Sequence, residues 1–226
     1  MTIHILVEGP SERAFFNRWF PRFPSDQPVR VHPHQGKGAL PREWSLPPDP
    51  KARGLLDQLP AKLRGLAQAL ESDVDGVLVL LDADDDDVER LALDIAAVAR
   101  QCAPHLRLRV AVAVEETEAF YLGDLRALQR AYPNADLEKA RAYVPDSICG
   151  TWELFGNIVG DGGGNKVAWA EAMGRQVTVN AGESRSPSFR HMLRDIEALQ
   201  PEPTARQKTK PYRHVPKSAK RARKRR

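Results

Sequence analysis

The chain of 226 residues contains no run of eighteen apolar residues, and no basic segment followed by an apolar core opens it. A helical membrane span and a secretory signal are therefore not expected, and the cytoplasm is the expected compartment. Cysteine is scarce. Cys102 and Cys149 are the only two and lack metal-ligand spacing, which excludes a disulfide framework and a thiolate zinc site. Both are expected to be reduced, buried and inert. No Ser-His-Asp or Cys-His nucleophile pairing is apparent. Gly36-Lys37-Gly38 is not a Walker loop, because the spacing and the following Ser or Thr are missing. A calcium loop opening at Asp82 fails because its sixth position is Asp87 and its twelfth Leu93. His32-Pro33-His34 is too small a set for a zinc site, and a turn is the simpler reading.

What is present is charge, unevenly placed. Residues 201–226 hold eleven of the 34 Lys and Arg and one acid, Glu202, which leaves the first 200 residues with 23 basic against 29 acidic. The body is mildly acidic and the tail strongly basic. Apolar residues nearly vanish beyond Gln200, so the tail is expected to be disordered when free. Its Arg213, Lys217, Lys220, Arg221, Arg223, Lys224, Arg225 and Arg226 are candidate nucleic-acid contacts, with a merely solubilising tail as the alternative.

The stretch from Gly76 to Asp87 organises the rest. Five aliphatic residues, Val77 to Leu81, between Gly76 and a run of acids read as a strand buried on both faces. Alternation along a strand would place Asp82 and Asp84 on one side. At about 4 Å two carboxylates repel by about 4 kcal/mol at an effective dielectric of 20, with no Lys or Arg nearby in sequence. A hard divalent cation with oxygen ligands, Mg²⁺ or Mn²⁺, would relieve that repulsion. An acidic first turn for the next helix also accounts for Asp85 to Asp87.

In chain order, Thr2 to Val7 reads as a strand ending on Glu8. Pro10 and Ser11 open a helix with Phe15, Phe16, Trp19 and Phe20 on one face, stopped by Pro21 and Pro24. Val29 to His32 is a second short strand, and 33–50 a proline-rich loop. Its basic residues are placed either on a plain surface or beside a phosphate. Leu55, Leu59, Leu63, Leu66 and Leu70 mark an amphipathic helix before the Gly76 strand; Val88, Leu91, Ile95, Val98 and Cys102 mark another after it. Leu106 to Val114 is a fourth strand, ending on Glu115-Glu116-Thr117-Glu118. This alternation predicts an α/β fold with a mostly parallel sheet flanked by helices. Sites in such sheets lie at the carboxyl ends of strands, and three strands here end in acids. The reading divides the chain into an α/β core over 1–130, a mainly helical extension packed on it over 131–200, and the tail. Within the extension, Gln176 to Asn180 is expected to form a small strand, and Ser186-Pro187-Ser188 to cap a final helix.

Val7-Glu8-Gly9-Pro10-Ser11-Glu12, Leu80-Leu81-Asp82-Ala83-Asp84, Glu116-Thr117-Glu118-Ala119-Phe120 and Ser186-Pro187-Ser188-Phe189 together resemble the TOPRIM-like domain-of-unknown-function family 4276. That family resembles the TOPRIM domains of OLD-type nucleases and, more distantly, of topoisomerases and primases. The resemblance covers about residues 1 to 200 and implies metal-dependent phosphodiester chemistry. It places Glu8 as a metal ligand or general acid/base, Asp82 and Asp84 at the paired-aspartate position, and Glu12 and Glu118 as further ligands, with Glu115 and Glu116 as substitutes for Glu118. Glu12 reads equally as a first-turn glutamate favoured by the helix dipole. Lys166 matches a residue that stabilises charge on the phosphate, or is a solvated loop lysine. No tyrosine is assigned to strand passage.

The implied function is a Mg²⁺- or Mn²⁺-dependent nuclease, on DNA rather than RNA, working with an AAA- or ABC-type ATPase partner in phage defence. The chain itself carries no ATPase motif. A non-catalytic metal- or nucleic-acid-binding subunit is the alternative. A nucleotide-sugar transferase shares the Leu-Leu-Asp-Ala-Asp-Asp string but not the Glu8-Gly9-Pro10 opening. A haloacid-dehalogenase-like phosphatase needs its aspartates on the first strand.

Overall fold

The computed structural model describes residues 1–200 except 26, 72, 73 and 163. The basic tail and its candidate contacts lie outside the described residues. Four strands, β1 (Ile3–Val7), β2 (Val29–Pro33), β3 (Gly76–Asp82) and β4 (Arg107–Ala113), form one parallel sheet in the order β2-β1-β3-β4. The α/β class and the parallel sheet follow the aliphatic runs: β1 and β3 are the central strands, buried along nearly their whole length.

Helices cover both faces. On one, α2 (Leu55–Ala69) and α3 (Val88–Cys102) lay Leu55, Leu59, Leu63, Ile95 and Val98 over Leu6, Val77, Val79 and Leu81. On the other, α1 (Pro10–Trp19) brings Phe15, Phe16 and Trp19 onto Ile3, Ile5 and Val7. The same apolar cluster takes in α4 (Glu118–Leu122), α5 (Leu125–Ala131), α6 (Leu137–Ala142), α7 (Thr151–Val159), α8 (Lys166–Gly174) and α9 (Pro187–Leu199). Residues after 130 thus close the core that the first strands open. Ser186 caps α9 as read, accepting the Phe189 N–H at 3.1 Å. Among the described residues, no helix is long and apolar enough to cross a membrane.

Helices α1 and α8 meet backbone to backbone. A Cβ on Gly174 would stand 2.5 Å from the Phe15 carbonyl oxygen. Gly174→Ala must push the two helices apart, and we expect it to destabilise the fold by about 1–3 kcal/mol in chemical denaturation.

Two expectations are corrected. Residues 176–180 form no strand. Side chains take up their backbone groups instead: Arg22 donates to Val177 O at 2.8 Å, Trp19 Nε1 to Thr178 O at 3.0 Å, and Asp124 accepts the Thr178 N–H at 2.8 Å. A ladder partner is therefore unnecessary. Cys149 is exposed rather than buried, on the loop before α7.

Candidate functional site

The strand order locates the site. From β1 the chain crosses to β2 on one side and returns to β3 on the other, so the loops after β1 and β3 diverge at their carboxyl ends, the place where sheets of this order form a crevice for ligands. Glu8 leaves β1 and Asp82 closes β3 at that crevice. The Asp82 N–H donates across it to Glu8 Oε1 at 2.9 Å.

Around Asp82 the acids crowd. Burial pushes its carboxyl well above the usual range, and Glu12, Glu8, Glu118 and Glu116 push it further. Its Oδ1 is shut off from solvent and has no hydrogen-bond partner among the described residues. Glu118, at the start of α4, is only 2% exposed. Burial raises it to about 7, against the pull of Lys166. Glu8 also stands at about 7, raised mainly by burial and offset by the Asp82 N–H, while Asp84 and Glu12 raise it further. Carboxylates held this far from their ordinary range are not those of a solvated helix turn, and they are candidates for a functional site.

Glu12 serves two purposes. It is the third residue of α1 and accepts the Gly9 N–H at 2.8 Å on Oε2 and the Ser11 hydroxyl at 2.7 Å on Oε1, as the first-turn reading required. It also stands close enough to Asp82 to be the largest charge acting on it. Lys166 is not a solvated loop lysine. Its Nζ donates to Glu116 Oε1 at 3.0 Å and lies 5.2 Å from the centre of the Trp152 ring, and Glu118, Glu116 and Asp82 hold its proton despite burial.

Asp84 departs from the expected pairing. The strand ends at Asp82, and Asp84 sits in the left-handed region at φ 49, so alternation does not reach it. Its exposed carboxylate meets Lys37 at 3.1 Å, a cation invisible in sequence because it comes from the proline-rich loop. Asp84 keeps its electrostatic reach to Glu8. Glu115 also turns away from the crevice. At φ 61 it accepts the N–H groups of Cys149, Gly150 and Thr151 at 2.7–3.1 Å, which anchors the start of α7 and holds its proton affinity low. The two histidines of 32–34 find different partners: His32 Nε2 lies 3.0 Å from His4 Nδ1, and His34 Nδ1 lies 2.9 Å from Val7 O.

The donor set of the crevice is all oxygen, which suits Mg²⁺ or Mn²⁺ and disfavours softer metals. Among the described residues, no three His, Cys, Asp or Glu side chains are already grouped to hold a metal ion. The fit rests instead on the orphaned Asp82 oxygen and on like charges crowded out of water.

No curated protein and no solved structure matches the chain. The model of one family, described as "Domain of unknown function (DUF4276)", matches residues 7–197. The chain therefore belongs to the domain-of-unknown-function family DUF4276.

Proposed function

We propose that this chain is a TOPRIM-like, Mg²⁺- or Mn²⁺-dependent nuclease that hydrolyses phosphodiesters in nucleic acid, DNA above RNA, and that serves an ATPase partner of AAA or ABC type in phage defence. The observation that carries the reading is the buried Asp82 oxygen without a partner, ringed by Glu8, Glu12 and Glu118 at the switch point of the sheet. When bound, the cation supplies positive charge and Lewis acidity to a phosphodiester. Asp82, Glu8 and Glu118 would hold it, with Glu12 behind them and Asp84 at the mouth.

The protein's own groups do the rest. In the metal-free chain Glu8 titrates at about 7, so near neutrality a proton and the cation compete for it. Lys166, kept charged by its acidic neighbours, can face the charge that builds on the phosphate oxygens. The Trp152 ring faces the ammonium itself, at 5.2 Å from its centre. The decisive experiment is cleavage of plasmid and single-stranded DNA with Mg²⁺ or Mn²⁺, the Asp82→Asn variant serving as control. Cutting that persists in the variant would remove the site from the reaction.

A second reading, a binding subunit without catalysis, draws on the engagement of Glu12 with Gly9 and Ser11 and of Asp84 with Lys37. Purified chain that binds DNA but never cuts it, with or without an ATPase, would favour it.

The tail supplies the long-range attraction for a polyanion. Each Lys or Arg that neutralises a phosphate adds about 0.9 to the slope of log affinity against log salt. Deleting residues 201–226 should weaken DNA binding at low salt and flatten that slope; titrations at several salt concentrations measure both. An unchanged slope would take the tail out of binding.

A further inference from the structure

The loop after β2 contains a cation built into the crevice's rim. The Lys37 ammonium donates to Ala83 O at 2.8 Å and Asp84 Oδ2 at 3.1 Å, and pairs with Asp86 Oδ2 at 2.6 Å. Three oxygens around one nitrogen use all three of its protons. The lysine side chain is only 14% exposed, although the two aspartates are more than half exposed. A surface ion pair of stability value alone rarely fixes a lysine so completely.

The backbone is built to deliver it. Gly36 donates to Glu8 O at 2.9 Å, and the first turn of α2 closes on the loop, Leu55 N–H to Gly36 O at 2.8 Å and Leu56 N–H to Lys37 O at 2.7 Å. Gly38 lies at φ 68, where a Cβ would come 2.3 Å from Asp57 Oδ2. The segment is thus pinned between the residue that opens the acidic crevice and the N-terminus of a helix. Lys37 is also among the charges acting on Glu8.

We propose that Lys37 occupies the place of a second divalent cation, so that this chain takes one divalent ion, held by Glu8, Asp82 and Glu118, with the ammonium neutralising Asp84 and Asp86 in place of another. Lys37 is then a positioning residue for that pair of aspartates. The inference rests on the metal-dependent reading above and specifies its stoichiometry.

The test counts Mn²⁺ retained by the full chain at pH 8, by electron paramagnetic resonance of the free ion. We expect one tightly held ion in the wild type, two in Lys37→Gln, and one again in Lys37→Arg, where a cation is restored. Asp84→Asn alone should keep the single ion. Two ions in the wild type, or a single ion in folded Lys37→Gln, would overturn the proposal and leave the nuclease reading standing. No retained ion in the wild type would overturn both. If Lys37→Gln fails to fold, Lys37→Met is counted in its place: two retained ions support the proposal and a single ion overturns it.

Discussion

Asp82→Asn is expected to lower Mn²⁺-dependent DNA cleavage by about a thousandfold or more, about 4 kcal/mol of transition-state stabilisation, while raising the melting temperature of the metal-free protein at pH 8. The two effects have one origin. Ionised Asp82 is disfavoured by burial and by Glu12, Glu8, Glu118 and Glu116, and its Oδ1 has no partner among the described residues. Asparagine keeps the shape and removes the charge, so the fold loses a strain that binding of a cation would otherwise relieve. Stability held below its optimum at a functional residue is the usual trade. A variant that melts lower at pH 8 and still cuts would show that the charge is structural.

Glu118→Gln tests the same crowding through pH. The Glu118 carboxyl is raised to about 7 in the folded chain and returns toward its ordinary value on unfolding. Between those values the folded state holds a proton that the unfolded state has released. Its contribution to stability is therefore full below about pH 4.5 and lost as pH climbs through about 7. The difference is on the order of 3 kcal/mol, or a fall of about 6–12 °C in melting temperature for a domain of this size. Glu8 titrates in the same window and adds to it. Metal-free wild type should thus lose stability from pH 5 to 8, and Glu118→Gln should flatten much of that fall. Mn²⁺ should restore stability at pH 8 and do little at pH 5, where protons already occupy the crevice. Parallel melting curves for variant and wild type across this range would refute the assignment.

Much of the frame was legible because buried parallel strands leave a plain mark. Val77 to Leu81 reads as a covered strand, and Ser186-Pro187-Ser188 as a cap, from local chemistry alone. Three acidic strand ends could be set on one edge because a parallel sheet aligns its carboxyl ends. The details that failed depend on where a regular element stops and on what arrives from elsewhere. Asp82 and Asp84 look like a pair only while the strand continues, and it ends between them. Lys37 lies 47 residues from Asp84, and no local pattern joins them. Glu115, Glu116 and Glu118 were interchangeable in sequence; the backbone separated them, sending Glu115 to the amides of 149–151 and leaving Glu116 and Glu118 with Lys166. The Gly36-Lys37-Gly38 triplet, two glycines around a lysine in a proline-rich loop, pointed to a basic loop but not to the pairing of its lysine with Asp84 and Asp86.

Helix α9 closes the sheet last. Leu199 packs where a Cβ on Gly76 would stand, at 3.0 Å, and Arg107 donates to the carbonyls of Ala198, Leu199 and Gln200 at 3.1–3.3 Å. During synthesis the strands emerge well before the helix that covers them, so the nascent chain carries an open apolar face until residue 200 clears the ribosome. Trp152 and Lys166, which reach the same acidic cluster, also follow all four strands in the chain. A ribosome stalled before α9 would therefore hold a fragment prone to aggregate.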